Sequence, residues 1–546
     1  MHVVIVGTTD IHGWFDGHRG AGPRFGGVAL LASYVDALRV QNDNHVLLVD
    51  SGDLFQGTLE SNFFEGEPVI KAYNLLGYAA SAVGNHEFDY GPVGPTSIAR
   101  AGDDPLGALK KNAAMASFPF LAANMTEKAT GATPAWARPY TMVEVAGARI
   151  GIIGLSTPDT PNVTIGANVR TLSFGDPVPA TVAAAAALRR QGADAVIVIA
   201  HIGGKCADVA DVHDVASCGA EEEVMRYLDR LPPHTIDAFF AGHTHQQMRH
   251  FIHDVPVLQG RAYGEEFSTL DLWITPRQGV DPSRTTIRPL TMICEQVWSG
   301  TERCKTPGPA GASLVPRTFL ARAIAPDAKL AEGMKPYVDR VAAKRAESVG
   351  ATAAAPFTRR FDGESTLGDL LADLMRRTFE TDAAIINSGG IRSDLRAGNL
   401  VYADVFETSP FDNYPAIVRM TGAQIREVLR LTTLNGERGI MQVSGLRYTV
   451  DAAKDAGKPA AERDRIVSVT LADGSPLDPS KLYRVVMPDF LALGGDGFDS
   501  VTSTIPADRI EILPSRTLHD VFAEMLRTLP QPLTPKLDGR LTVLNH

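Results

Sequence analysis

Five apolar segments in the first half of the chain run directly into polar side chains of the kinds that bind metal ions. Each segment has the length and composition of a buried β-strand, and helical patterns separate several of them. The predicted strands are residues 3–6, 45–49, 79–83, 195–200 and 236–241. Strands that alternate with helices predict a layered α/β domain. Because ligands collect at the carboxyl ends of strands in such sheets, five ligand-bearing strand ends predict one site.

The candidate metal ligands are carboxylates, imidazoles and one amide. They are Asp10, His12, Asp53, Asn85, His201, His243 and His245. Asp53 is the natural bridge between two divalent cations, because a carboxylate has two oxygens to share. Carboxylate together with imidazole suits Zn, Mn, Co or Ni without choosing between them. Two cations about 4 Å apart can activate a shared water and hold a phosphoryl group for in-line displacement.

His86 and Asp89 belong to the run Gly84-Asn85-His86-Glu87-Phe88-Asp89, which follows the third strand. Taken alone, this run is more typical of a capped loop with a hydrogen-bonded histidine, since Asn and Asp are common turn residues. Its neighbours favour a catalytic role. An imidazole beside two metals can stabilise or protonate a leaving oxygen, and Asp89 lies at a spacing that can orient the ring.

A chain of 546 residues is too long for one hydrophobic core, so two or more domains are expected. We predict a catalytic domain over residues 1–310, a linker over 311–350 and a second domain over 351–546. The linker contains a long amphipathic helix predicted over 326–349. The net charge of -11 argues against non-specific binding to nucleic acid or to an anionic membrane. No apolar run approaches the length of a membrane span.

The four cysteines form two local pairs in polar, loop-like stretches, Cys206 with Cys218 and Cys294 with Cys304. An even count in nearby loops predicts two disulfides and an oxidising compartment, with four unrelated thiols as the alternative. The first residues have the pattern of a buried strand and not that of a signal peptide. We therefore expect a periplasmic or extracellular protein whose signal peptide has been removed, and a cytoplasmic protein is the less favoured alternative.

Several motifs together resemble a known family. Residues 9–13, 50–53, 84–89, His201 and 242–245 look like the calcineurin-like metallophosphoesterase core. With residues 387–392, 411–413 and 490–498 added, the chain resembles the two-domain 5'-nucleotidase family from end to end. This resemblance implies an N-terminal four-layer α/β metallophosphoesterase sandwich. A helix would join it to a C-terminal α/β substrate-binding domain.

The resemblance also implies a role for each matching residue. One metal would be held by Asp10, His12, Asp53 and His245, and the second by Asp53, Asn85, His201 and His243. His86 and Asp89 match the catalytic dyad of the family. In the C-terminal half the matching substrate contacts are Arg392 for phosphate, Asn387 and Asn413 as polar contacts, Phe411 and Phe490 as rings that sandwich the base, and Asp496 for the ribose.

Two positions depart from the family pattern. Arg359 and Arg360 are both candidates for a phosphate-binding arginine that other members place at a fixed distance before the helix that Thr366 begins. His245 stands where other members have Gln or Asn, and imidazole is a competent ligand.

The predicted function is removal of the 5'-phosphate from nucleoside monophosphates by a metal-activated water, in a monomer or homodimer. Alternatives with the same fold are a 2',3'-cyclic nucleotide phosphodiesterase, a UDP-sugar hydrolase and, more distantly, a thiosulfohydrolase of the sulfur-oxidation branch. Asp89 favours the nucleotidase over the cyclic phosphodiesterases, which tend to have Asn there, and the paired phenylalanines argue against the thiosulfohydrolase. A nucleotide-binding module without activity is disfavoured by the complete ligand set.

Overall fold

The structure is a computed structural model that describes residues 1–18, 23–94, 96–99, 102–305, 308–433, 439–459 and 462–545. The chain divides into two compact units. The first unit consists of Met1–Pro161 and Asn168–Arg340, and the second consists of Asn162–Ala167 and Val341–His546.

The first unit is built on two mixed β-sheets. One sheet has the order Gly279–Val280, Glu266–Thr275, His2–Thr8, Val46–Asp50, Ala80–Ala82 and Phe120–Leu121, with Thr286–Ile287 and Thr291–Met292 also pairing with Glu266–Thr275. The other has the order Met248–Ile252, Val255–Gln259, Ala238–Phe240, Ala195–His201, Ala148–Ser156 and Tyr140–Val145. All five strands predicted to end in ligands are present, which confirms those elements of the sequence analysis.

Successive side chains along a strand point to opposite faces of its sheet, so the two sheets contribute to three hydrophobic cores. In the strand His2–Thr8, Val3 and Ile5 pack in the core shared by the two sheets, together with Ile197. Val4 and Val6 belong instead to the core under the helix Val28–Gln41. On the far side of the second sheet, a further core joins its strands to the helices Pro177–Arg190 and Glu223–Arg230. The layers are therefore helix, sheet, sheet and helix, which confirms the predicted four-layer sandwich.

The remaining elements of the first unit are short. The helices on its surface are Leu59–Asn62, Glu67–Leu76 and Gly107–Met115. Three two-stranded ribbons pair Met125–Glu127 with Leu172–Phe174, Gln296–Trp298 with Leu314–Pro316, and Thr318–Phe319 with Arg322–Ala323. Two single-turn helices, Thr160–Val163 and Gly166–Val169, each cross a boundary between the units, because Asn162–Ala167 is assigned to the second unit.

The long helix spans Ala328–Arg345, and a strand, Ser348–Ala353, follows it. The prediction of helix as far as residue 349 was therefore wrong at its C-terminal end. Val349, Ala351 and Ala353 are buried while the residues between them are more exposed, and this period of two is the pattern of a strand. Gly350 has a φ of 69°, which an α-helix does not accommodate.

The second unit is also an α/β structure. Its main sheet has the order Met441–Ser444, Ala383–Asn387, Leu482–Pro488, Pro415–Thr421 and Ile510–Ile512. A three-stranded sheet, Ile466–Leu471, Leu446–Asp451 and Leu541–Leu544, shares one core with it, and Ser348–Ala353 pairs with Gly398–Val401. The helices are Thr366–Thr378, Tyr402–Thr408, Gly422–Leu431, Asp489–Ala492, Asp499–Thr502 and Leu518–Leu526.

Both predicted disulfides are present, Cys206–Cys218 and Cys294–Cys304. Each closes a short loop, with sequence separations of 12 and 10 residues. Within the described residues, no helix combines the length and the apolar character that a membrane crossing requires.

Candidate metal and catalytic site

Parallel strand pairing brings the ligand-bearing loops of each sheet to one edge. In the first sheet Thr8 pairs with Asp50, and Asp50 pairs with Ser81, so the loops after these three strands begin side by side. In the second sheet Ile199 pairs with Phe240 in the same parallel sense. The loops after these strands contain the predicted ligands, as expected for the carboxyl edge of an α/β sheet.

The structure brings the predicted carboxylate and imidazole ligands together in two groups that share one residue. The potential ligand atoms within each group lie within 4.8 Å of one another. The groups are Asp10, His12, Asp53 and His245, and Asp53, His201 and His243. Asn85 Oδ1 lies 3.1 Å from His201 Nε2, beside the second group. The membership of Asp53 in both groups is the arrangement expected of a bridging carboxylate.

Hydrogen bonds outside the cluster orient two of the imidazoles. His12 Nδ1 lies 2.8 Å from the backbone oxygen of Gln56, and His201 Nδ1 lies 2.9 Å from that of Ser51. A carbonyl oxygen only accepts, so each Nδ1 donates and each Nε2 in the neutral ring offers a lone pair. His12 Nε2 converges on His245 Nε2 at 3.0 Å. Backbone carbonyls thus hold both rings in the tautomer with a free Nε2 lone pair, and converging ring nitrogens of this kind fit a metal-binding role.

The electrostatics of the cluster also favour cations. Burial alone would raise the pKa values of Asp10 and Asp53, but the imidazoles of His245 and His201 respectively hold them below the usual value. Burial alone would lower the pKa of His201, yet Asp53 and then Asp10 raise it to about 10. The two buried carboxylates therefore stabilise positive charge at this point. The donor set and its charge fit divalent metal ions.

Backbone strain is concentrated at these ligands. Five of the seven predicted ligands have positive φ: Asp10 51°, His12 47°, Asp53 59°, His243 81° and His245 58°. Left-handed backbone costs a residue other than glycine on the order of 1 kcal/mol or more. Such strain persists only where surrounding contacts impose it, and it clusters at functional sites.

Glu87 is one of the contacts that impose this geometry. Its buried carboxylate accepts hydrogen bonds from the backbone N–H groups of Asp53 at 2.9 Å, Leu54 at 2.6 Å and Gly84 at 2.6 Å. Burial, and then the nearby charge of Asp53, raise its pKa to about 8. Gly84 is required beside it, because a Cβ there would lie 2.2 Å from Asp53 Oδ1. The sequence analysis quoted Glu87 within its motif but assigned it no role.

Asp50 also holds the loop that contains Asp53. It accepts hydrogen bonds from Thr8 Oγ1 at 2.6 Å, Tyr73 Oη at 2.8 Å and the backbone N–H of Gly52 at 2.8 Å. Burial raises its pKa to about 7. No role was predicted for Asp50 from the sequence. Its position at the end of an apolar strand, three residues before Asp53, is the signal that could have indicated that it holds this loop.

His86 and Asp89 form the predicted pair. His86 Nδ1 lies 2.6 Å from Asp89 Oδ2, and the backbone N–H of His86 donates to Asp53 Oδ1 at 2.8 Å. The His86 ring lies 5.1 Å from the His12 ring, centroid to centroid. The dyad is therefore adjacent to the first ligand group.

In the second unit, the predicted substrate residues lie at the end of or after the strands Ala383–Asn387 and Leu482–Pro488, before the strand Pro415–Thr421, and before the helix Thr366–Thr378. Asn387 Nδ2 donates to Asp496 Oδ2 at 2.9 Å, and Asn413 Nδ2 donates to Asp489 Oδ1 at 3.0 Å. The guanidinium of Arg392 lies over the Phe411 ring, 5.4 Å from its centroid.

The two candidate phosphate-binding arginines make different contacts in the structure. Arg359 donates from Nη1 to the backbone oxygen of Ile391 at 3.1 Å, next to Arg392. Arg360 instead pairs with Asp362 at 2.9 Å, and its side chain is 55% exposed. Of the two, only Arg359 therefore contacts the segment that contains another predicted substrate residue.

Phe411 and Phe490 are half-buried, so neither is a fully enclosed core residue. Phe490 packs at the margin of the core of this unit. Its ring lies against the backbone of Gly495, where a Cβ would come within 2.4 Å of ring carbons. The glycine thus permits the close approach of the ring.

Comparison with known families agrees with this geometry. The calcineurin-like phosphoesterase family matches residues 3–247, and the 5'-nucleotidase C-terminal domain matches residues 348–503. The first segment contains every predicted metal ligand, and the second contains every predicted substrate residue. Fold and site thus define a calcineurin-like phosphoesterase. More specifically, the chain belongs to the two-domain 5'-nucleotidase family.

Individual relatives have low sequence identity to this chain but align over most of its length. A 5'-nucleotidase from Vibrio cholerae is 26% identical over 532 residues, covering 92% of this chain and 86% of that protein. The cell wall protein Lmo0130 from Listeria monocytogenes is 26% identical over 541 residues, covering 91% of this chain. This chain spans only 64% of the length of the Listeria protein.

Solved structures share the fold over the whole chain. The 5'-nucleotidase precursor from Thermus thermophilus superposes with a TM-score of 0.79 at 25% identity, covering 100% of both chains. The sulfate thiohydrolase SoxB from the same organism has a TM-score of 0.71 at 17% identity, covering 100% of this chain and 97% of that one. Because the second likeness is one of fold alone, the reaction has to be argued from the site.

Proposed function

We propose that this protein hydrolyses the 5'-phosphate ester of nucleoside monophosphates, using two divalent metal ions. The observation that carries the proposal is the sharing of Asp53 by two groups of ligands, directly beside the pair of His86 and Asp89. Family membership and the name of the Vibrio relative support a nucleotide as the substrate.

The first ligand group would hold one ion, and the second group with Asn85 would hold the other. When bound, the two ions supply charge stabilisation to the phosphoryl group and a water of lowered pKa for attack on phosphorus. The strained ligand loops keep the donor atoms converged before substrate arrives, so little reorganisation remains for the reaction itself.

His86 acts on the leaving oxygen in this proposal. Its contact with Asp89 fixes the ring orientation. With Nδ1 facing Asp89, Nε2 is the ring nitrogen that exchanges a proton with the ester oxygen as the bond to phosphorus breaks.

The second unit supplies recognition. Phe411 and Phe490 are half-buried rings that can stack on a base, and stacking tolerates any base because every base has a π face. Asp496 and Asn387 are proposed to bind the ribose and nearby polar atoms. Arg392 and Arg359 are proposed to contact phosphate.

We further propose the catalytic domain as residues 1–310, the nucleotide-binding domain as residues 351–546 and the intervening residues as the connection. The two disulfides, together with the name of the Listeria cell wall protein, support a periplasmic or extracellular location.

Hydrolysis followed by chromatographic quantification of the products tests the proposed reaction, because of the substrates compared only the 5'-monophosphate releases free phosphate in one step. Chelator-stripped protein is incubated with Mn²⁺, Zn²⁺, Co²⁺ or Ni²⁺ and with AMP, 2',3'-cyclic AMP, UDP-glucose or thiosulfate ester as substrate. The proposal predicts the highest kcat/KM for a 5'-monophosphate, with broad tolerance of the base. A higher kcat/KM for the cyclic nucleotide, the sugar nucleotide or the sulfur ester would assign the protein to the corresponding alternative.

A further inference from the structure

Asp489 is a buried carboxylate at the start of the helix Asp489–Ala492 in the second unit. It follows the strand Leu482–Pro488 and is only 1% exposed. Its Oδ1 accepts hydrogen bonds from Asn413 Nδ2 at 3.0 Å and from the backbone N–H of Phe490 at 2.9 Å. Its own backbone N–H donates to the carbonyl of Tyr414 at 2.9 Å. A single oxygen therefore contacts the start of the helix Asp489–Ala492 and, through Asn413, the loop that precedes the strand Pro415–Thr421.

The loop that contains residues 411–413 is also held on its other side. The backbone N–H of Leu518 donates to the carbonyl of Asn413 at 2.8 Å. His519, which is 4% exposed, places Nδ1 at 3.1 Å from the carbonyl of Phe411. The side-chain amide of Asn413 is thus the part of this loop whose orientation depends on Asp489.

We propose that Asp489 is a positioning residue for nucleoside binding, an inference that rests on the proposed function. Asp489 is too buried to touch a substrate, so it acts through the Asn413 amide and the Phe490 backbone. Its contact with the Asn413 amide links the loop that contains Phe411 to the start of the helix that contains Phe490. The class of ligand that depends on it is the nucleoside part of a substrate, and not its phosphate.

The two oxygens of Asp489 make different contacts, and this difference provides a matched pair of variants. Oδ2 is buried and accepts no hydrogen bond from the residues that the structure describes, whereas Oδ1 accepts two. Asp489→Asn keeps an acceptor at the Oδ1 position. Asp489→Ala removes it and leaves two donors without an acceptor, which a well-packed loop avoids by moving.

The experiment measures kcat and KM of the metal-loaded full chain for AMP and for a small aryl phosphate. We expect Asp489→Ala to raise KM for AMP about ten-fold with kcat nearly unchanged, and to leave KM for the aryl phosphate within about two-fold. Asp489→Asn should restore KM for AMP to within about three-fold of the wild-type value. A loss confined to KM is the signature of lost ground-state binding.

A merely structural role gives a different pattern. Asp369→Ala is the control, because Asp369 is also a buried carboxylate of this unit, 4% exposed, and has no proposed contact with substrate. It should lower Tm without changing the ratio of the two KM values. If Asp489→Ala lowers Tm and impairs both substrates in parallel, or leaves KM for AMP unchanged, the positioning role is wrong. Wild-type protein that hydrolyses the aryl phosphate but not AMP would instead overturn the proposed function itself.

Discussion

The two regions that contain the predicted functional residues are built differently. In the first unit, the ligand side chains of Asp10, His12 and Asp53 are at most 1% exposed, and their backbones are strained. In the second unit, Phe411 and Phe490 are half-buried; Phe411 lies on a loop and Phe490 lies in the short helix Asp489–Ala492. The first region is thus mostly buried with converging donor atoms, whereas the second presents half-exposed aromatic rings.

This difference suits the two regions to different roles, one in catalysis and the other in substrate binding. Strained and buried ligands are suited to stabilising charge that develops in a transition state, where preorganisation matters most. Half-exposed aromatic rings are suited to binding a part of the substrate that does not react. Substitutions in the first region should therefore act mainly on kcat, and substitutions in the second mainly on KM.

The largest effect is expected at the shared carboxylate. Asp53→Asn removes the negative charge common to both ligand groups, so it should abolish nearly all turnover on AMP and on a small aryl phosphate alike. Circular dichroism and Tm would establish that the variant folds. Asp43→Asn, an exposed position of the same unit, is the control and should keep full activity. Near-normal kcat in metal-loaded Asp53→Asn would disprove the dimetal assignment.

The next largest effect is expected at His86. His86→Ala removes a proton-transfer group, which should lower kcat and kcat/KM together by about 10²–10⁴-fold. Elemental analysis should find unchanged metal content, since His86 belongs to neither ligand group. His213→Ala, at an exposed position of the same unit, controls for the loss of an imidazole. A variant that has lost one equivalent of metal would show that His86 is a ligand.

A smaller effect, of a different kind, is expected at the aromatic rings. Stacking on a base contributes about 1–3 kcal/mol per ring, so Phe490→Ala should raise KM for AMP by about 10–100-fold with little change in kcat. Hydrolysis of the aryl phosphate should change much less. Phe498→Ala, at a fully buried position, is the comparison for a core defect and should lower Tm and both activities. The same pattern from Phe490→Ala would show that Phe490 belongs to the core.

The smallest effect concerns the pH dependence of stability. Burial raises the pKa of Asp489 to about 6 from an ordinary value of 3.8. Between these two values the folded chain holds a proton that the unfolded chain releases, so this group's contribution to stability falls as pH rises from about 4 to about 6. The Tm of the wild type relative to Asp489→Asn should therefore decrease over this range and stay constant above it. A difference in Tm that is independent of pH would contradict the raised pKa.

The sequence predicted the first region better than the second, for a physical reason. Buried strands have a simple apolar pattern, and the ligands lie within five residues of the strand ends, so both could be located by spacing. Asp489 and His519 had no such signal, because their partners, Asn413 and Phe411, are more than 70 residues away along the chain. The end of the long helix was mispredicted because alternating burial in Ser348–Ala353 depends on pairing with a strand about 50 residues further on.

The central claim is that two cations, joined through Asp53, are needed for hydrolysis. The direct test is to strip the protein of metal, add Mn²⁺ or Zn²⁺ in steps, and measure both bound metal and phosphate release from AMP. We predict that activity reaches its plateau only when two equivalents are bound per chain, and that Asp53→Asn stays inactive at every step. Full activity at one bound equivalent, or turnover by the stripped protein, would contradict the account.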